Sequence, residues 1–122
     1  MSVRGIRGAI TVDTNEKEPI LKATLEMLHA IVADNDVQPD DICSVFITVT
    51  NDLDDAFPAV AIRQMSGWEL VPLMCALEVP VKGSLARCIR LMVTVNTDKT
   101  QAEIKHVYLG GAQVLRPDLT QS

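Results

Sequence analysis

Apolar residues alternate with polar ones along several short segments of the chain. In the segment ICSVFITVT, Val45, Ile47 and Val49 fall on one face of an extended chain, because successive side chains of a strand point to opposite sides. The segment WELVPLMC contains Pro72, which argues that this strand lies at a sheet edge or carries a bulge. The alternation predicts five β-strands, in ICSVFITVT and in VRGIRGAITV, WELVPLMC, CIRLMVTV and HVYL.

Helical spacing of apolar residues appears between the first two predicted strands. Asn15 and Glu18 have the spacing of a capping box ahead of this longest helix. Shorter helices are predicted in PAVAIRQM and in TDKTQAEIK. The apolar stripe of the long helix consists of Leu21, Leu25, Leu28 and Val32, widened by Ile20 and Ile31. The order β-α-β-α-β-β-α-β predicts an α+β domain, in which helices cover one side of a mixed β-sheet and leave the other side exposed.

Composition narrows the class of protein. The 122 residues are enough for one domain, 1–122, and the net charge of −5 disfavours nucleic acid or an anionic membrane as a partner. There is no run of eighteen apolar residues and no recognisable secretory leader. Cys43, Cys75 and Cys88 are odd in number and form no CxxC pair, which argues against disulfides and a structural zinc site. We therefore expect a cytoplasmic protein with reduced thiols.

The arginines lie in unusually apolar settings. Arg4 and Arg7 belong to the first strand, and Arg90 would point between Cys88 and Met92 on another. An unpaired buried charge is costly, so an anionic partner should meet Arg90. Arginine is suited to bidentate recognition of carboxylates. The pattern therefore suggests a small anionic ligand, although internal pairs between arginine and Asp or Glu explain it as well.

The residues that remain for chemistry do not form a nucleophile–base pair. The chain has two histidines and lacks the GxSxG, HExxH and phosphate-loop motifs. Cys75 and Glu78 stand at a strand end, and Tyr108 joins the arginines as a group that donates hydrogen bonds. This set fits electrostatic stabilisation of an anionic ligand that rearranges by itself.

Four long motifs carry a resemblance to a known family. RGIRGAITV, FPAVAIRQMSGWELVPLMCALE, ARCIRLMVTVNT and HVYLGGAQVLRPDL resemble, in order and spacing, the monofunctional chorismate mutases of the homotrimeric α+β class. The resemblance extends from about Val3 to Leu119. It implies a trimeric pseudo-α/β-barrel with active sites at the subunit interfaces. It also implies conversion of chorismate to prephenate, toward phenylalanine and tyrosine, by an intramolecular Claisen rearrangement without cofactor, metal ion or covalent intermediate.

The resemblance assigns roles to individual residues. Arg90 would face the ether oxygen of chorismate, which gains negative charge as the C–O bond lengthens. Glu78 and the region of Cys75 would hold the ring hydroxyl, and Arg7 and Tyr108 would bind the side-chain carboxylate. Further substrate-binding residues implied are Phe57, Ala59, Arg63, Leu73, Met74, Leu115 and Arg116. A mobile C-terminal tail, 116–122, would close over the site.

Two other interpretations stay open at this point. A non-catalytic trimer that binds a small carboxylate would need the arginines but not the pairing of Glu78 with Arg90. Alternatively, those two residues form a buried salt bridge inside one monomer. Solvent access separates the buried salt bridge from a catalytic pair, since a structural pair would be closed off and a catalytic pair would flank a cavity at a subunit boundary.

Overall fold

Five strands form one mixed sheet in a computed structural model of the chain, which describes residues 2–115. The strands are β1 (Ser2–Thr11), β2 (Ile42–Val49), β3 (Leu73–Leu77), β4 (Cys88–Thr97) and β5 (Val107–Leu109), in the order β3-β2-β4-β1-β5. The helices are α1 (Lys17–Asn35) and α2 (Ala59–Arg63), with short 3₁₀ helices at Pro39–Asp41, Gln101–Glu103 and Gly110–Val114. β4 pairs antiparallel with β1 and β2, whereas β2–β3 and β1–β5 are parallel. The predicted α+β domain with a mixed sheet is confirmed.

Both α-helices lie over one face of the sheet, as predicted. α1 packs on β1, and α2 packs on α1. This face supplies the main core, in which strand residues meet an aliphatic face of α1. Its fully buried side chains include Ile6, Val45, Ile47, Ile89 and Val93 from the strands and Met27, Leu28 and Ile31 from α1. Within the described residues, no helix is both long enough and apolar enough to cross a membrane.

The buried face of α1 is rotated by one residue from the predicted stripe. Leu21, Leu25 and Val32 are only partly buried, and Leu28 is the one member of the four that is fully buried. The residues that reach the core are Ile20, Ala23, Thr24, Met27, Leu28, Ile31 and Asn35. Ala23 and Thr24 are small, so this side of the helix can approach the sheet more closely than the leucine side.

The predicted capping box of α1 is wrong. The helix begins at Lys17, and Glu16 at the N-cap makes no side-chain hydrogen bond. Asn15 instead binds the loop after β2, where it donates to the Asp54 carboxylate at 2.7 Å and accepts the Asp54 main-chain N–H at 3.0 Å. The Asp55 carboxylate accepts the main-chain N–H of Lys17 at 2.8 Å, so the cap comes from a distant loop.

The third strand is shorter than predicted. β3 begins at Leu73, directly after Pro72, because proline has no N–H to extend the ladder. Trp68, at the start of the predicted strand, lies between two turns and is buried in the core. The predicted helix before the last strand is a single 3₁₀ turn, Gln101–Glu103, with a capping box between Thr100 and Glu103.

The opposite face of the sheet, which we call the open face, carries no α-helix within residues 2–115. The strand registers place Arg7 opposite Met92, Phe46 opposite Met92 and Met74 beside Phe46. Large apolar side chains on this face are solvent-exposed, namely Val3, Phe46, Met74 and Met92. At one end of this face, Ala112 of the segment Gly110–Val114 packs against it, and Leu85 and Leu115 are partly buried there. The expected uncovered sheet surface is therefore present.

Candidate active site

Arg90 lies in the middle of the open face. Its register neighbours are Ala9 on β1 and Thr48 on β2, and its side chain is 46% exposed. It points away from Ile89 and Leu91, which are buried on the helix-covered face, as strand alternation predicts. The arginine is therefore held on the central strand of the sheet with its guanidinium accessible to a ligand.

Glu78 is the protein's own anionic partner for Arg90. Its Oε2 lies 3.6 Å from Arg90 Nε, and the Thr48 hydroxyl donates a hydrogen bond to the same oxygen. The main-chain N–H of Glu78 donates to the Val49 carbonyl at 2.9 Å, which fixes the residue just beyond the end of β3. A separation of 3.6 Å is an ion pair and not a short charge-assisted hydrogen bond. Since a guanidinium has five N–H donors, Arg90 keeps donors for a ligand.

A cavity of about 190 Å³ on the open face brings three predicted site residues together. Arg7, Arg90 and Tyr108 line it with the apolar side chains of Phe46 and Met92. Two guanidinium groups facing one cavity favour an anionic occupant. The volume is below the roughly 300–1,000 Å³ of typical ligand sites.

The segment around β5 fixes Arg7 and Tyr108. The main-chain N–H of Arg7 donates to His106 Nδ1 at 2.9 Å, and Tyr108 pairs with Ala9 of β1. Tyr108 is buried on the open face with Ala9, Cys88 and Ala112, and Leu115 packs against this cluster. Both predicted carboxylate-binding residues therefore have main chains set by the parallel pairing of β1 with β5.

Six other predicted residues line a separate cavity of about 600 Å³ at the outer edge of β3. Cys75 pairs in register with Ile47, so its side chain lies on the helix-covered side of β3, whereas Glu78 reaches the open face. Within one chain, Cys75 is thus not beside Glu78 and Arg90. The predicted residues along this second cavity are Phe57, Ala59, Arg63, Leu73, Met74 and Cys75.

The thiol beside Arg90 is neutral. Burial raises the pKa of Cys88 above its ordinary value of 9.0, although the charge of Arg90 works in the opposite direction. Cys88 therefore does not neutralise the arginine, and its neutral thiol is a poor nucleophile. Among residues 2–115, no group of three or more His, Cys, Asp or Glu side chains could hold a metal ion.

Thr48 contacts Glu78, but the sequence had not indicated it as a site residue. The strand motif ICSVFITVT drew attention to its apolar face, and Thr48 lies on the alternate face with Phe46. A threonine on that face, with a glutamate directly after the next strand, could have indicated a polar site on the open face. Arg116 and the predicted tail 116–122 lie outside the described residues.

The fold and the site together define an α+β protein in which Arg7 and Arg90 line one cavity on the open face of the sheet. The family model for chorismate mutase type I matches residues 3–119, and the chain belongs to that family.

Close relatives support this assignment over nearly the whole chain. The chain is 47% identical to chorismate mutase AroH of Bacillus subtilis over 120 residues, which cover 98% of this chain and 94% of the relative. It is 51% identical to chorismate mutase AroH of Thermus thermophilus over 118 residues, 96% of each chain. The solved chorismate mutase of Clostridium thermocellum superposes with a TM-score of 0.88 at 50% identity, covering 91% of this chain and 98% of that one.

Proposed function

We propose that the protein is a chorismate mutase that converts chorismate to prephenate, in the biosynthesis of phenylalanine and tyrosine. The observation that carries the proposal is the accessible Arg90 guanidinium beside Glu78 on the open face, in the cavity that Arg7 and Tyr108 also line. The match to the chorismate mutase family, and relatives of that name at 47% and 51% identity, support it.

Arg90 performs the electrostatic part of the reaction in this proposal. During the Claisen rearrangement the C–O bond breaks while a C–C bond forms, and the ether oxygen gains negative charge. A guanidinium fixed on the central β4 strand already points at this charge, so it needs no reorganisation when the transition state forms. Removing one comparable donor in other enzymes costs about 3–4 kcal/mol of transition-state stabilisation.

The remaining groups select and hold a reactive shape of the substrate. Glu78, which Thr48 orients, accepts a hydrogen bond from the ring hydroxyl. Its negative charge also lies near the ring, which becomes electron-poor. Arg7 and Tyr108 bind the side-chain carboxylate, for which their shared cavity provides donors. Holding a flexible dianion in a compact conformation lowers the entropic part of the barrier.

A homotrimer with sites at the subunit interfaces completes the proposal. The cavity with Arg7 and Arg90 is small, and the cavity with Arg63 and Cys75 lies at the free edge of β3. If the β3 edge of one subunit packs against the open face of the next, the two cavities join and the exposed apolar residues of that face are buried. Unpaired thiols at Cys43, Cys75 and Cys88 support a cytoplasmic location.

The geometry also bears on the two other interpretations. A closed structural salt bridge is disfavoured, because the Arg90 side chain is 46% exposed and lines a cavity. A trimer that binds a carboxylate without catalysis would use the same arginines, so only an activity measurement separates it from the enzyme.

The test is chorismate consumption followed by absorbance, with prephenate identified as the product. We expect Arg90→Ala to lower kcat by at least about 100-fold while the protein stays folded and trimeric. Arg90→Lys should recover little activity, since lysine lacks the planar fork. Arg4→Ala is the matched control, because Arg4 also lies on a strand but its Nε donates to the Lys99 carbonyl, away from the cavity. A folded, trimeric wild type that makes no prephenate would leave the carboxylate-binding subunit as the better interpretation.

A further inference from the structure

A group of hydrogen bonds centred on Asp52 holds the first residues of β4, the strand that carries Arg90. The Asp52 carboxylate accepts the main-chain N–H of Arg87 with both oxygens, at 3.0 and 3.2 Å, and also accepts the Thr50 hydroxyl. The Thr50 hydroxyl in turn accepts the main-chain N–H of Cys88 at 3.0 Å. We call Asp52, Thr50 and the Arg87 main chain the Asp52 clamp.

The clamp supplies hydrogen bonds at the end of the β2–β4 ladder, beyond its last register pair, Val49 and Ile89. The Thr50 N–H donates to the Cys88 carbonyl at 3.1 Å, but the Thr50 carbonyl accepts the Leu53 N–H at 3.0 Å in the turn that follows. The N–H of the buried Cys88 is therefore satisfied by the Thr50 hydroxyl. That hydroxyl needs an acceptor for its own proton, and Asp52 supplies it.

The conformation of Arg87 also depends on these contacts. Its φ is +48°, a left-handed conformation that persists in a non-glycine residue only where the surroundings hold it. Val12 holds the other side of the residue, because its N–H donates to the Arg87 carbonyl at 2.9 Å and its carbonyl accepts Arg87 Nε at 3.1 Å. Asp52 and Val12 together therefore set the direction in which the chain enters β4.

The carboxylate at the centre of the clamp is ionised at neutral pH. Burial by itself raises the pKa of Asp52, but the hydrogen bonds from Thr50 and Arg87 outweigh it and bring the pKa below the ordinary 3.8. An ionised acceptor forms stronger hydrogen bonds than a neutral one, so ionisation of Asp52 strengthens the clamp at neutral pH.

The clamp lies one step along the sheet from the proposed catalytic pair. Thr48 is opposite Arg90 in the β2–β4 register and binds Glu78, and the clamped residues Thr50 and Cys88 are two positions further along the same strands. We propose that Asp52 is a positioning residue for the reaction, which fixes the entry of β4 and thereby the placement of Arg90 relative to Glu78. The inference rests on the proposed function, because it concerns the geometry of the same site.

Asp52→Ala tests the proposal, with Glu103→Ala as the matched control. Glu103 also accepts a main-chain N–H, from Thr100 at 2.8 Å, but it lies on the 3₁₀ turn between β4 and β5. We expect Asp52→Ala to lower kcat about ten-fold or more and to change KM less than about two-fold, because a small misplacement of a catalytic group is costly in the transition state. The control should keep the wild-type kcat.

A double-mutant cycle separates positioning from a general structural role. If Asp52 acts through the Arg90 guanidinium, the fold-loss in kcat from Asp52→Ala is smaller in an Arg90→Lys background than in wild type. An equal fold-loss in both backgrounds, or an unchanged kcat in folded Asp52→Ala, overturns the proposal.

A crystal structure keeps the inference testable apart from activity. If the wild type does not consume chorismate, the proposed function fails, and the wild-type and Asp52→Ala structures decide the positioning. A displaced Arg90 guanidinium relative to Thr48 then upholds the inference, and superimposable side chains overturn it.

Discussion

The close contact between α1 and β1 at Gly8 predicts how much a larger residue there would lower the free energy of unfolding. Gly8 lies under α1, and a Cβ at this position would be 2.6 Å from Ile31 Cδ1 and 3.0 Å from Met27 Cγ and Sδ. Both side chains are fully buried in a close-packed core, so they cannot move aside without displacing others. Overpacking of this kind costs about 1–3 kcal/mol, whereas alanine gains about 0.4–1 kcal/mol by restricting the unfolded chain. We therefore expect Gly8→Ala to lower the free energy of unfolding by about 1–2 kcal/mol.

Gly5→Ala on the same strand is the control. A Cβ there would lie on the open face, 3.1 Å from the sulfur of the half-exposed Met92, which can move away. Both substitutions restrict the unfolded chain equally, so the difference between them reports the packing under α1. The measurement is urea unfolding followed by circular dichroism at fixed protein concentration, with the oligomeric state checked. Equal stability of the Gly8→Ala and Gly5→Ala proteins would refute the packing argument.

Three further predictions concern other parts of the chain. Asn35→Ala should lower the free energy of unfolding, measured by urea titration, by about 2–4 kcal/mol. The reason is that the Asn35 side-chain amide accepts the main-chain N–H of Lys105 at 2.8 Å and donates to its carbonyl at 2.9 Å. A loss below about 1 kcal/mol would contradict this. At pH 8, iodoacetamide should modify the exposed Cys43 first, because the thiol of Cys88 is buried and has a raised pKa. Cys88 should react only after urea unfolds the protein. Modification of Cys88 before Cys43, measured by mass spectrometry of the peptides, would contradict the prediction. The Thr100 main-chain N–H lowers the pKa of Glu103 below its ordinary 4.5, so its contribution is present above pH 4.5 and is lost as the pH falls through the folded-state pKa. Unfolding curves of Glu103→Gln and wild type should accordingly differ at pH 7 and converge toward pH 3, and a constant difference would argue against the assignment.

Much of the fold could be predicted because its strands follow simple alternation. Val45 and Ile47 are buried on one face of β2, and Arg90 points to the opposite face from Ile89 and Leu91. The number of strands, the mixed sheet and the open face follow from such patterns and from the element order. The match of residues 3–119 to the family model agrees with the range of the resemblance stated from the motifs.

What the sequence could not show depends on contacts between distant segments. The carboxylate that caps α1 belongs to Asp55, 38 residues from Lys17, and no local pattern marks that pairing. The contact of Thr48 with Glu78 depends on the register of β2 against β3. The same register places Cys75 on the other side of β3 from Glu78, although the two are three residues apart. Strand pairing therefore determines which of the predicted residues share a cavity within one chain.

The position of β1 has a consequence for how the protein is made. β1 leaves the ribosome before the other four described strands, yet its two neighbours in the sheet are β4 and β5, and the bond from Arg7 to His106 joins residues 99 apart. β4 is complete 86 residues after the end of β1. At about 5–20 residues per second, the nascent chain would therefore carry β1 without partners for roughly 4–17 s. Two features of that strand limit unwanted association in this interval, since Arg4 and Arg7 add charge and Gly5 and Gly8 weaken the pairing of an isolated strand. The arginine proposed to bind the substrate would thus also protect the nascent chain from aggregation.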